Sequence, residues 1–131
     1  MIAVDTNILA RYLLNDERKQ AQIAAAIVEG DEDLTAPVTV FLELVWVLES
    51  YGYTRAEVAR ALRLLLGLPN FKPRETESLW FALASFDRGM DFADALHLAL
   101  SAADKKFVTF DRRLAKLAQN IGTPLSVTEA K

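Results

Sequence analysis

The sequence predicts an α/β fold in which a central, mostly parallel sheet is flanked by helices. Short apolar runs typical of strands alternate along the chain with longer segments whose apolar residues recur at helical spacing. This alternation favours parallel strands, because a helix between two strands returns the chain to the end of the sheet where it started. At 131 residues, of which 52% are hydrophobic, the chain is long enough for one core, and we expect a single domain over residues 1–131.

The order of the elements follows from these patterns and from residues that begin or end helices. Apolar runs predict strands at residues 2–4, 34–36, 71–73, 107–110 and 125–127. Helical spacing predicts helices at residues 7–14, 16–29, 38–51, 55–66, 76–88, 92–103 and 112–120. Thr54 and Glu57 have the pattern of a capping box before the fourth helix. Gly122 and Pro124 end the last helix before the final strand.

The residue types that the chain lacks narrow its chemistry. There is no cysteine, which excludes disulfides, thiolate nucleophiles and thiolate zinc sites, and a single histidine excludes a histidine-rich metal site. A bound metal would therefore be held by oxygen, as magnesium and manganese are. No apolar run has the length of a membrane span and no secretory signal precedes the first strand, so we expect a cytoplasmic protein that makes no membrane contact.

Four carboxylates stand where an isolated acid is unusual. Asp5 follows the first strand-like run, which is apolar enough to be buried, and Asp111 follows the fourth run. Both are expected at the carboxyl ends of parallel strands, where open sheets bind their ligands. Glu43 is the only charged residue in the apolar segment 38–48, and Asp94 interrupts a mostly apolar helix. Because a buried carboxylate is costly unless it is paired or bound to a metal, the four placements predict one shared acidic, metal-binding pocket.

Each carboxylate also has a purely structural explanation. Asp5, Asp94 and Asp111 could each serve the N-terminus of the helix that follows, since aspartate is a good N-cap and its charge suits that end. For Asp91 we prefer the N-cap role. For Glu43 the alternative is a long-range ion pair with an arginine, because its own helix offers no base at helical spacing.

Three polar neighbours are left outside the predicted site. His97, three residues after Asp94, is interpreted as a packed side chain of its helix rather than as a ligand or base. Thr6 and Asn7 could orient Asp5 or a bound water, or could cap the first helix. Basic residues that could contact phosphates, or could equally be solvated, are Arg11, Lys105, Lys106, Arg112, Arg113 and Lys116.

The net charge of −3 at first argues against a polyanionic substrate. Setting the four carboxylates aside leaves 14 of the 18 acidic residues against 15 basic ones, so the rest of the chain is close to neutral. Divalent ions in the pocket would reverse its local sign. The net charge therefore does not exclude nucleic acid as a substrate.

The segments around the four carboxylates resemble, in order, the four acidic motifs of PIN domains, and more narrowly those of VapC-type toxin ribonucleases from prokaryotic toxin–antitoxin pairs. The motif segments are Ile2-Ala3-Val4-Asp5-Thr6-Asn7-Ile8-Leu9, Phe41-Leu42-Glu43-Leu44, Asp91-Phe92-Ala93-Asp94-Ala95-Leu96-His97-Leu98-Ala99 and Phe107-Val108-Thr109-Phe110-Asp111. The resemblance covers essentially the whole length, and the ordered set is specific although each motif alone is weak.

The resemblance implies a magnesium- or manganese-dependent endoribonuclease whose metal site is formed by Asp5, Glu43, Asp94 and Asp111. It also implies a homodimer and a partner antitoxin whose tail blocks the pocket. Two alternatives remain open: a non-catalytic module whose acidic pocket binds a basic tail, and a phosphatase of the haloacid dehalogenase type. The phosphatase is disfavoured because that class has an acidic residue two positions after the first aspartate, where this chain has Asn7.

Overall fold

The computed structural model describes residues 1–131, which form two compact units, Met1–Thr76 and Glu77–Lys131. Each unit combines helices with one pair of short strands. The first unit contains β1 (Ile2–Ala3), α1 (Thr6–Leu14), α2 (Arg18–Val28), β2 (Leu34–Thr35), α3 (Val38–Ser50) and α4 (Arg55–Leu66). The second unit contains α5 (Thr76–Asp87), α6 (Phe92–Leu100), β3 (Lys106–Thr109), α7 (Arg112–Ile121) and β4 (Ser126–Glu129). Thr76, the first residue of α5, still belongs to the first unit.

The first unit is built on parallel strands with helices packed against one another. Ile2 of β1 pairs with Leu34 of β2, and Phe71 adds an isolated parallel bridge to Leu34. α1 packs against α2 and α3, and α3 packs against α4. The rings of Phe41 on α3 and Phe71 are stacked with their centroids 6.0 Å apart. This core contact fixes α3, which carries Glu43, relative to the strands.

The second unit repeats the parallel arrangement. β3 and β4 are parallel, with Phe107 opposite Val127, and α7 packs against both strands. Phe86 of α5 and Phe92 of α6 meet edge to face, with ring centroids 5.9 Å apart and an angle of 82° between the ring planes. Edge-to-face contact is a favoured geometry for buried aromatic rings. It joins α5 to α6, the helix that carries Asp94.

The prediction of an α/β fold with parallel strands is confirmed, and all seven predicted helices are present. α2 begins later than predicted, because the Glu17 carboxylate accepts a hydrogen bond from the Gln20 N–H at 2.6 Å and so caps the helix. The strand predicted at residues 71–73 is reduced to the single bridge at Phe71. None of the helices has the combination of length and apolarity that crossing a membrane requires.

The burial expected of the first strand is wrong. Ile2 is 42% exposed and Ala3 is also exposed, whereas Val4 is buried. β1 pairs with a strand on one side only, and a strand at an edge is covered less than a central strand of a parallel sheet. A single domain over residues 1–131 stays a prediction.

Candidate active site

Asp5 lies between β1 and α1 and is the N-cap of that helix. Its Oδ1 accepts a hydrogen bond from the Thr6 N–H at 2.7 Å. Aspartate suits this position because its negative charge faces the positive end of the helix. Asp5 is exposed, and its second oxygen, Oδ2, accepts no hydrogen bond. The capping role is therefore confirmed, and one oxygen stays free for a ligand.

Glu43 lies on α3 and reaches Thr6, 37 residues earlier in the sequence. Its Oε1 accepts a hydrogen bond from the Thr6 Oγ1 at 2.9 Å, and Thr6 is only 6% exposed. The expectation that Glu43 is buried is wrong, because α3 turns residues such as Leu44 and Leu48 towards the core and leaves Glu43 and Trp46 exposed. The partner of Glu43 is a hydroxyl group and not the arginine considered as the alternative.

Asp5 and Glu43 line one pocket of about 420 Å³, together with Thr6 and Asn7. Thr6 connects the two carboxylates, since its N–H donates to Asp5 and its hydroxyl donates to Glu43. The buried Thr6 hydroxyl orients Glu43, and the Thr6 backbone orients Asp5. The sequence leaves the role of Thr6 open, and the structure shows that it orients both acids. We call this cavity the acidic pocket.

Asp94 lies in the first turn of α6, three residues after Asp91. Asp91 is the N-cap, as preferred from the sequence, and its Oδ2 accepts a hydrogen bond from the Asp94 N–H at 3.2 Å. Asp94 is half-buried. Burial raises the pKa of the Asp94 carboxyl above its ordinary value, and the negative charges of Asp91 and Asp111 raise it further, while His97 opposes the shift. A cation beside Asp94 would relieve this unfavourable charge.

Asp111 follows β3 and is the N-cap of α7. Its Oδ1 accepts a hydrogen bond from the Leu114 N–H at 3.0 Å, and its own N–H donates to the Thr109 Oγ1 at 3.0 Å. Asp111 is exposed, and its charge acts on Asp94. The capping role is confirmed here as well. His97 is exposed and acts on Asp94 through its charge, so the interpretation of His97 as a packed side chain is wrong.

Each unit thus carries two of the four predicted carboxylates. Asp5 and Glu43 share the acidic pocket of the first unit, and Asp94 and Asp111 interact through their charges in the second. Within neither unit do three acidic or histidine side chains come close enough to hold a metal ion. All four residues offer oxygen donors, and the raised pKa of Asp94 favours a nearby cation. The donor chemistry therefore fits magnesium or manganese.

Two of the basic residues considered for phosphate contacts already have partners. The Arg11 guanidinium donates to Asp16 and to Gln20, in each case at 2.9 Å. Arg112 lies 3.5 Å from a carboxylate oxygen of Glu129. Arg11 is therefore committed to holding the start of α2 rather than free to bind a phosphate. No ion pair involves the remaining candidates, Lys105, Lys106, Arg113 and Lys116.

In each unit an aspartate follows the first of two parallel strands, which places the chain among α/β proteins with carboxylates at their strand ends. The family follows from comparison with known proteins. The model of the PIN domain family matches residues 2–120, a range that includes all four carboxylates, and the chain therefore belongs to the PIN domain family. PIN domains are generally nucleases that use divalent metal ions, so this membership indicates a hydrolase acting on nucleic acid. No curated protein matches the chain.

Proposed function

We propose that the chain is a magnesium- or manganese-dependent endoribonuclease that acts as the toxin of a toxin–antitoxin pair. The observation that carries the proposal is the acidic pocket, where Thr6 donates one hydrogen bond to Asp5 and another to Glu43. Metal-dependent hydrolysis of phosphodiesters needs oxygen donors and no protein nucleophile, which suits a chain without cysteine. Membership of the PIN domain family supports the nuclease activity.

In this proposal Asp5, Glu43, Asp94 and Asp111 hold the ion. When bound, a divalent ion offsets the charge that builds on the scissile phosphate and lowers the pKa of the attacking water. The chain contributes the positions of its carboxylates. Thr6 orients Glu43 by a hydrogen bond, and the helix caps orient Asp5 and Asp111. Asp94 supplies a carboxylate that ionises more readily when a cation is near.

The biological setting rests on the order of the four acidic motifs, which resembles that of VapC-type toxins. On this ground we propose RNA as the substrate, a homodimer, and an antitoxin partner whose tail covers the pocket. The same resemblance supports one PIN-like domain over residues 1–131 and a cytoplasmic location.

The test of the proposal is cleavage of single-stranded RNA by the purified protein, with magnesium or manganese and with excess chelator. Cleavage that requires the ion supports the proposal, and undiminished cleavage in chelator contradicts the role of the metal. Glu43→Gln should lose most of the activity, because glutamine keeps an acceptor for Thr6 but removes the charge. Glu49→Gln, an exposed position on the same helix, is the matched control and should cleave like the parent.

A second arm separates catalysis from binding. Asp5→Asn keeps a side-chain oxygen that can cap α1, so the variant should fold while losing cleavage. If the parent binds a lysine- and arginine-rich peptide but cuts no RNA with any divalent ion, the non-catalytic module is the better explanation.

A further inference from the structure

Trp46 is the most exposed aromatic residue of the first unit, with 71% of its surface accessible to solvent. Tryptophan is highly buried on average, so an indole left in water calls for an explanation. The rest of α3 does not explain it, because the helix is anchored by buried side chains on its other face, among them Leu44 and Leu48. The anchored helix holds Trp46 in place without covering it.

The position of Trp46 connects it to the candidate active site. It follows Glu43 by three residues on α3, so the two side chains are neighbours on one face of the helix, with Cβ atoms about 5–6 Å apart. Both residues line the acidic pocket. Leu42, Trp46 and Val47 give that pocket an apolar lining beside its acidic residues.

A nucleotide likewise combines a charged phosphate with a flat, largely apolar base. The pocket volume of about 420 Å³ lies within the range of ordinary small-ligand sites. Aromatic side chains that bind single-stranded nucleic acid do so by stacking on unpaired bases, whatever their sequence. Stacking of the indole on a base does not depend on opposite charges, whereas binding by the neighbouring carboxylates does.

We propose that Trp46 stacks on an unpaired nucleobase next to the phosphate that is cut, and so places that phosphate beside Asp5 and Glu43. The inference rests on the proposed ribonuclease function and adds to it a residue that positions the substrate. A base inside a duplex has its faces covered by its neighbours and cannot lie on the indole without leaving the stack. The base that stacks on Trp46 is therefore one that is unpaired.

The experiment measures kcat and KM for RNA that is unpaired at the cleavage site and for the same sequence held in a duplex. Trp46→Ala should raise KM for the unpaired RNA about tenfold, the effect of losing one stacked base. Trp46→Phe, which keeps a smaller aromatic face, should fall between Trp46→Ala and the parent. Trp80→Ala is the matched control, since Trp80 is 41% exposed but lies outside the pocket, and its KM should equal that of the parent.

Fluorescence provides a second readout that a merely structural role would not change. The chain has two tryptophans, so in the Trp80→Phe protein all indole emission comes from Trp46. Stopped-flow mixing with single-stranded RNA should quench this emission before cleavage begins, and duplex RNA should quench it less.

Three results would overturn the inference. If the parent cuts RNA but Trp46→Ala leaves KM and the preference for unpaired RNA unchanged, the stacking role fails while the ribonuclease function stands. If Trp46→Ala converts a dimer into a monomer in sedimentation experiments and RNA does not quench Trp46, the indole is a contact between two copies of the chain. If the parent cuts no RNA at all, the proposed function fails and the inference fails with it.

Discussion

Thr6 determines the geometry of the acidic pocket through two hydrogen bonds from one residue. Its backbone N–H holds Asp5 at 2.7 Å and its buried hydroxyl holds Glu43 at 2.9 Å. A hydroxyl that donates to a carboxylate forms a charge-assisted bond, which is stronger than a bond between neutral groups. Although Thr6 is not proposed as a metal ligand, its side chain therefore orients one of the proposed ligands, Glu43.

Replacing the hydroxyl tests this role. Thr6→Val has nearly the same shape but cannot donate to Glu43, so we expect the free energy of unfolding to fall by about 1 kcal/mol. RNA cleavage should fall as well, because Glu43 is no longer held. Thr6→Ser keeps the donor and is the control. Urea denaturation in chelator, followed by kinetics with the ion, measures both effects, and a Thr6→Val protein as stable and as active as Thr6→Ser would disprove the role.

The raised pKa of Asp94 predicts a pH-dependent stability for the metal-free protein. In the folded chain the Asp94 carboxyl keeps its proton at pH values above its ordinary pKa of 3.8. Between the unfolded and the folded pKa, the folded chain therefore binds more protons than the unfolded chain. The stabilising contribution of the protonated group is complete below the unfolded pKa and is lost as the pH rises through the folded pKa. Asp94→Asn removes the charge and should melt at a higher temperature than the parent near neutral pH.

Thermal melts of both proteins in chelator, from acid to neutral pH, provide the measurement. The difference in melting temperature should be smallest in acid, where Asp94 carries no charge in either state, and largest near neutrality. A lower melting temperature for Asp94→Asn than for the parent at neutral pH would contradict the prediction. It would mean that the N-terminus of α6 stabilises the Asp94 carboxylate more than burial and the neighbouring charges destabilise it.

At the level of the helices, Asp5 and Asp111 each begin an element and also belong to the proposed metal site. In both cases Oδ1 accepts a backbone N–H at the start of the following helix, α1 or α7. A short polar side chain at an N-cap has little freedom, because the bond to the helix sets its rotamer. The helix therefore orients the carboxylate without any further support.

The two roles of Asp111 can be separated by substitution. Asp111→Ala should lower the free energy of unfolding by about 1 kcal/mol, because the cap of α7 is lost, whereas Asp111→Asn should cost much less. Both variants should lose RNA cleavage if Asp111 is a ligand. Glu17→Ala, which removes the cap of α2, is the control for stability, and it should cleave RNA normally. Full activity in Asp111→Asn would show that Asp111 is a cap alone.

Local signals made the helices predictable from the sequence. Thr54 and Glu57 form the capping box as expected, with the Thr54 N–H donating to Glu57 at 2.9 Å and the Glu57 N–H donating to Thr54 at 3.2 Å. α4 accordingly begins at Arg55, where the sequence places it. Each such signal lies within four residues of chain, so it can be recognised without the rest of the fold.

Contacts between distant segments were not predictable in the same way. The Asn70 amide donates to the carbonyl oxygens of Val28 and Glu32 at 3.0 and 3.1 Å, and no local pattern announces these bonds. The exposure of Glu43 was misjudged because Trp46 makes its helix look apolar on every face. An apolar residue that faces water conceals the true solvent side of its helix.

For the molecule as a whole, the proposed site makes stability depend on metal. A ligand that binds only the folded chain stabilises it by mass action, by about 2.7 kcal/mol when its concentration is a hundred times its dissociation constant. Magnesium should therefore raise the melting temperature of the parent. Asp5→Asn, which keeps its cap but loses a ligand charge, should gain less.

The control for this experiment is sodium chloride at matched ionic strength, since salt alone screens the net charge of −3. An equal rise in melting temperature for the parent and for Asp5→Asn would show that magnesium acts by general screening and not at Asp5.

Helix caps that are also proposed ligands would decide which genetic changes the protein tolerates. An aspartate codon becomes an asparagine codon by a single base change, and asparagine at position 5 or 111 still offers an oxygen to the helix N-terminus while withholding its charge. Lineages under selection to silence the activity therefore have a short mutational route to a folded, inactive chain. Such a descendant would keep the caps of α1 and α7 and the surface around them while losing a charge of the proposed site.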